Sequence, residues 1–259
     1  MADPTLALRM APDPATRHRL AAPGAYTAAL QSRELLRQHL SPTITHTGPL
    51  MATCLGLDNR DLLPPFFPAW RNEDGVFGRV LHHCFPHGYA AHLPFVLPHV
   101  PDRQLTKQRP AQPPPDPTTL RISELVIACI GTCPNAPPAL PEAARMRALG
   151  RHLIELGDLP EPDFHDALRM PLAHRSANAI RAAESLLNTW NPPIGDVWAI
   201  DLRQTIQLHH QALLKPAPHP PNAQSLIRRY GELLYWWPAI VEKTRHLKEK
   251  GPLNLCPSV

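Results

Sequence analysis

Over residues 120–133, 141–156, 163–190, 196–215 and 222–250, apolar side chains recur at the three-to-four-residue spacing that places them on one face of a helix. Breakers separate these stretches: Gly157, Pro192 with Pro193, Pro216 and Gly251. In the last stretch Leu226, Tyr230, Leu233, Leu234 and Trp237 form the apolar stripe, with Pro238 as a point for a kink. Lys243, Arg245, Lys248 and Lys250 gather toward its end, where cations suit the helix dipole. Trp236 and Trp237 are adjacent and cannot both face a core, so one of them is exposed or at an interface. No internal repeat is visible, and the pattern predicts a helical bundle, not a solenoid.

The first half of the chain is patterned differently. Residues 1–25 are rich in proline and alanine and keep no period, which predicts a poorly ordered lead-in. Residues 26–40 place Leu30, Leu36 and Leu40 near one helical face, stopped by Ser41 and Pro42. TITHTGPLMATCLGL reads as one or two short strands. The prolines of LLPPFFP, residues 62–68, remove backbone donors and fix φ, so this run is a rigid apolar loop. GVFGRVLHHC then brings Val76, Phe77, Val80, Leu81 and Cys84 onto one helical face, and AAHLPFVLPHVP reads as an edge strand that delivers His99 at its end. Residues 102–118 are polar and proline-dense, as a linker is. The expected organisation is thus a lead-in over 1–25, a mixed region over 26–101, a linker over 102–118 and a helical domain over 119–259, predominantly helical overall.

Composition narrows the classes. The chain has 259 residues, 43% of them hydrophobic, and 34 prolines, which favour loops and short elements. Its formal charge is only +4, with the basic residues scattered, so nothing resembles a nucleic-acid footprint. The five cysteines include no CxxC pair, as expected of free thiols in a reducing compartment. Cys129 and Cys133 fall on one apolar face, but zinc needs four ligands and no second pair is nearby. No apolar run reaches the roughly 20 residues of a membrane span, and the first residues lack the apolar core of a secretory signal. A cytoplasmic location is the expectation.

Candidate chemistry concentrates between residues 58 and 101. Glu73 and Asp74 stand side by side at a helix start, where a carboxylate can serve as general base toward a hydroxyl or act as an ordinary first-turn residue. His99 can ligate a divalent metal or simply close a strand. Asp58, Asn59 and Arg60 can hold a substrate hydroxyl or phosphate, or form a turn; Arg71 offers a second guanidinium fork. Phe66, Phe67 and Trp70 can make a platform for a sugar ring or base, or pack as a wall. His82 and His83, like His209 and His210, are expected to face solvent.

Taken together, GLDNRDLLPPFFPAWRNEDGVFG followed by HLPFVLPHVP resembles the acceptor-side half of glycosyltransferases of the GT-A kind, particularly bacterial family-two-like proteins. The resemblance covers roughly residues 26–250 and is closest over 56–101. It implies an α/β remnant of a GT-A-like fold followed by a helical extension. It implies Asp74, with Glu73 beside it, as catalytic base, and His99 as a metal ligand. It also implies a divalent ion (Mn or Mg), with a nucleotide-sugar donor and an acceptor as partners. The chain has no DxD motif, and few residues precede Asp58. The expectation is therefore a protein that is inactive because its nucleotide-binding half is missing, or one that receives that half from another chain. The alternative is a non-catalytic helical interaction protein.

Overall fold

Glycines at matching heights let two long helices of this chain approach until their backbones touch, and much of the fold follows from that contact. The structure is a computed structural model, and it describes residues 41–46, 50, 55–60, 62–69, 72–95, 120–137, 139–190, 197–215 and 219–250, with His18, Ala22, Gly24 and Ala25. About 68% of these residues are helical. In chain order the elements are β1 (Thr43–Thr45), α1 (Glu73–Cys84), β2 (Ala90–His92), α2 (Ile122–Thr132), α3 (Glu142–Gly157), α4 (Glu161–Trp190), α5 (Val197–Leu214) and α6 (Ala223–Glu249). β1 and β2 pair as a two-stranded sheet. Among the described residues no helix is long and apolar enough to cross a membrane.

The chain forms two compact units. One comprises residues 44–90, 121–168 and 219–259, and in it α1, α2, α3 and α6 pack together. The α3–α6 contact is the most extensive and runs antiparallel, since Gly150 meets Gly231 and Tyr235 while Gly157 meets Arg228. A methyl group on Gly150 would stand 2.6 Å from the carbonyl oxygen of Gly231, and one on Gly231 would stand 2.7 Å from that of Gly150. Around this crossing Leu149, Leu153, Ile227 and Leu234 are buried. Val76, Phe77, Val80 and Cys84 of α1 and Leu125, Val126, Cys129 and Ile130 of α2 complete the core.

The proline loop is pinned to α6 through its backbone. Trp237 Nε1 donates to the Leu63 carbonyl at 2.7 Å, and the Tyr230 hydroxyl donates to the Pro65 carbonyl at 3.2 Å. Phe67 is buried edge-on against Tyr230, and Phe66 stacks on Phe77 at 4.3 Å. Phe66 and Phe67 thus act as wall packing. Behind the loop, the buried Arg145 donates from Nη1 to the Cys84 carbonyl at 2.8 Å, placing a cation at the C-terminal end of α1.

The other unit comprises residues 1–43, 91–120 and 169–218. Its described core is a cluster of Ala183, Trp198, Ala199 and Leu202, with Leu186, Leu187 and Ile206 against it.

Several expectations need correction. β2 ends at His92 and does not run toward His99: Leu93 and Phe95 are already outside the strand, and Pro94 has no N–H to continue a ladder. The buried stripe of α6 is Ile227, Tyr230, Gly231, Leu234 and Pro238, whereas Leu226, Leu233 and Trp237 are only half-buried. The helix is rotated toward its glycine because that is the face α3 can approach most closely. His82 and His83 are half-buried, and His209 is buried with its Nδ1 3.3 Å from the Ser176 hydroxyl; only His210 of these four is exposed. Trp236 is the exposed member of the tryptophan pair. The helix expected over 26–40 and the linker over 102–118 lie outside the described residues.

Candidate functional site: an apolar cavity along the first helix

α1 is amphipathic with two different faces. Val76, Phe77, Val80 and Cys84 go to the core. Gly75, Gly78, Arg79, His82 and Phe85, at helical spacing on another side, line a cavity of about 360 Å³ together with Leu81. Leu50, Leu57, Leu63 and Ile127 form much of the rest of the wall. His46, Asp58 and the segment Gly88–Ala90 close it. Gly78 keeps the space open, because a methyl group there would come within 3.3 Å of the Leu50 side chain. The lining is therefore mostly aliphatic, with few polar groups.

Each polar group can be placed. His46 Nδ1 lies 3.1 Å from the Gly88 carbonyl, and since a carbonyl only accepts, Nδ1 carries the proton. Nε2 of His46 is left free of that contact. Its ring stands edge-on to His82 with centroids 5.8 Å apart and is tilted against Tyr89 at 5.2 Å. Burial pushes His82 below the ordinary imidazole range, and the nearby positive charges of Arg79 and His46 add to this, so His82 is neutral at physiological pH. Its Nδ1 is buried and has no hydrogen-bond partner among the described residues. Arg79 is exposed and reaches over Gly131 of α2, with no ion-pair partner among the described residues. Asp58 is gripped by Arg60, whose Nε and Nη2 donate to its carboxylate at 2.9 and 2.5 Å, and these hydrogen bonds hold its carboxyl down at about 2.

The residues singled out in the sequence fall in different places. Asp58 lies on the cavity wall, while Asn59 and Arg60 are exposed beside it in the turn that Asp58 and Arg60 close. Glu73 and Asp74 begin α1, half-buried, and are not among the residues lining the cavity. The Asp74 carboxylate accepts from the Gly75 N–H at 2.8 Å. Trp70, Arg71 and His99 lie outside the described residues. Among the described residues no group of three His, Cys, Asp or Glu side chains could hold a metal ion, so the divalent ion finds no ligand set there. Sequence reasoning passed over His46, Arg79 and Tyr89; the available signal was the Gly75–Gly78 spacing, which clears one face of an otherwise bulky helix.

The three cysteines among the described residues are sequestered. Burial pushes Cys84 and Cys129 up to about 12 and Cys133 up to about 11. All three are free, and none is activated as a nucleophile. Compared with known proteins, the chain matches no family, no curated protein and no solved structure.

Proposed function

We propose that this chain is a non-catalytic helical binding protein whose ligand is a small, mainly apolar molecule held in the cavity along α1. The observation that carries this reading is the cavity itself, whose volume of about 360 Å³ is walled by leucines, glycines and Ile127 with a few polar side chains among them. Small-molecule sites characteristically pair such an apolar lining with a few orienting groups, in volumes of roughly 300–1,000 Å³. The test is saturable, one-to-one uptake of the neutral fluorescent probe 1-N-phenylnaphthylamine. Gly78→Phe, which fills the space below Leu50, abolishes uptake if the reading is right. Uptake that does not saturate, or that survives in Gly78→Phe, sinks it.

Sugar transfer is the second proposal, supported by the half-buried carboxylates of Glu73 and Asp74 at the first turn of α1. In that reading Asp74 takes the proton of an acceptor hydroxyl as the hydroxyl oxygen attacks the sugar's anomeric carbon, whose bond to the diphosphate oxygen breaks and releases the nucleoside diphosphate. Calorimetric titration with a panel of nucleotide-sugars, with and without Mn²⁺, decides it. Saturable binding and turnover lost in Asp74→Asn would bring this reading forward, and silence across the panel would remove it.

A further inference from the structure

Summing the charges at the cavity gives an asymmetric result. Asp58 is the only carboxylate among the lining residues, and its charge is answered by the bidentate contact with Arg60. His46 and His82 also line it, His46 tied through Nδ1 to the Gly88 carbonyl and His82 partly buried against it. Arg79 remains. It is one of the lining residues, it is exposed, its guanidinium reaches Gly131 one turn along α2 from the lining Ile127, and no ion pair compensates it among the described residues. Long cationic side chains lie along apolar surface in this manner, with the stem packed and the head at the mouth. A guanidinium there presents a planar fork matched to a carboxylate.

We infer that the cavity takes an apolar carboxylic acid, its hydrocarbon or aromatic body among Leu50, Leu57, Leu63, Leu81 and Ile127 and its carboxylate on the Arg79 guanidinium at the mouth. This rests on the ligand-binding reading above. Hydrocarbon surface gives that ligand its affinity by leaving water. The charged pair sets its orientation and rejects amines of the same shape, because an ammonium group at the mouth would meet Arg79 as a like charge.

The experiment is calorimetric titration of the full chain with three matched molecules, 4-butylbenzoate, 4-butylbenzamide and 4-butylbenzylamine, at pH 7.5 and low salt. The wild type is expected to bind the benzoate about tenfold or more tightly than the amide, consistent with a charge-assisted pair, and the amine most weakly. Arg79→Gln, an exposed substitution that leaves the core untouched, is expected to bring the benzoate down to the affinity of the amide. Gly78→Phe is expected to lose all three. Equal binding of benzoate and amide, or a benzoate affinity indifferent to Arg79→Gln, overturns the inference while leaving the cavity as a binding site. Tightest binding by the amine overturns it as well. If none of the three binds the wild type, the ligand-binding reading falls together with it.

Discussion

Replacing Gly231 with alanine tests whether α3 and α6 are in backbone contact. The added methyl would stand 2.7 Å from the Gly150 oxygen, 2.8 Å from the Ile154 nitrogen and 2.9 Å from Leu153 Cβ. Ordinary carbon contacts are about 3.5–4.0 Å, and two of these three atoms are helix backbone, which cannot turn aside as a side chain can. Relief requires the helices to separate by roughly an ångström, loosening Leu149, Leu153, Ile227 and Leu234, all fully buried. A gap of that size forfeits a quarter to a half of each contact's attraction. Opposing this, alanine is intrinsically better in a helix than glycine by about 1 kcal/mol. Overpacking costs about 1–3 kcal/mol or more in side-chain cores, and an unyielding backbone belongs at the upper end, so a net loss of about 1–3 kcal/mol is expected. In urea unfolding the midpoint falls at constant slope. Gly150→Ala behaves alike, and the double variant costs less than the sum, because one separation serves both methyls. Gly56→Ala, with nothing within 4 Å, stays within about 0.5 kcal/mol of the parent. A more stable Gly231→Ala protein would refute the close crossing.

Three further outcomes follow from the structure. Arg145→Met leaves the Cys84 carbonyl without its buried donor and should destabilise by about 2–3 kcal/mol in the same assay; a neutral result would mean that the ion is not needed at the end of α1. Burial holds the imidazoles of His82, His83, His152 and His219 below the usual 6.5, so below that pH the unfolded chain binds more protons than the folded one. Stability is therefore level above about pH 6.5 and falls on acidification: calorimetry should give a lower Tm at pH 5.5 than at 7.5, with His83→Gln reducing the difference. An equal Tm at both pH values contradicts this. Native Cys84 and Cys129 should resist iodoacetamide at pH 8 and react once urea is added, as mass spectrometry would record; rapid native labelling would show that their burial is wrong.

The helical half of the fold was legible because its signal is local. The five stretches of helical period correspond to α2–α6 within two residues at each end. The core face of α1 was legible for the same reason. What escaped was set by partners distant in sequence. The rotation of α6 toward Gly231 depends on Gly150 of α3, and a glycine contributes nothing to a hydrophobic pattern. His82 was read as exposed because histidine is polar, yet its surroundings come from His46, on the far side of the proline loop. The strand extrapolated toward His99 treated Pro94 as tolerable where it marks an end. The cavity was invisible because its walls come from at least four separated segments. The Asp58–Arg60 turn, in contrast, was readable from adjacent residues.

The two hydrogen bonds that pin the proline loop join residues 165 and 174 positions apart, Tyr230 to Pro65 and Trp237 to Leu63. Such distant pairing has a consequence for the order of events during synthesis. Leu63 forms part of the cavity wall, but the helix that anchors it comes after all the other described helices in chain order. A chain leaving the ribosome therefore carries its proline loop undocked, with Phe67 lacking its Tyr230 cover, until α6 emerges. Contacts of this span also slow folding, since the intervening chain must be closed before any of them forms. The Leu63 part of the cavity wall is then set in place only in that late step.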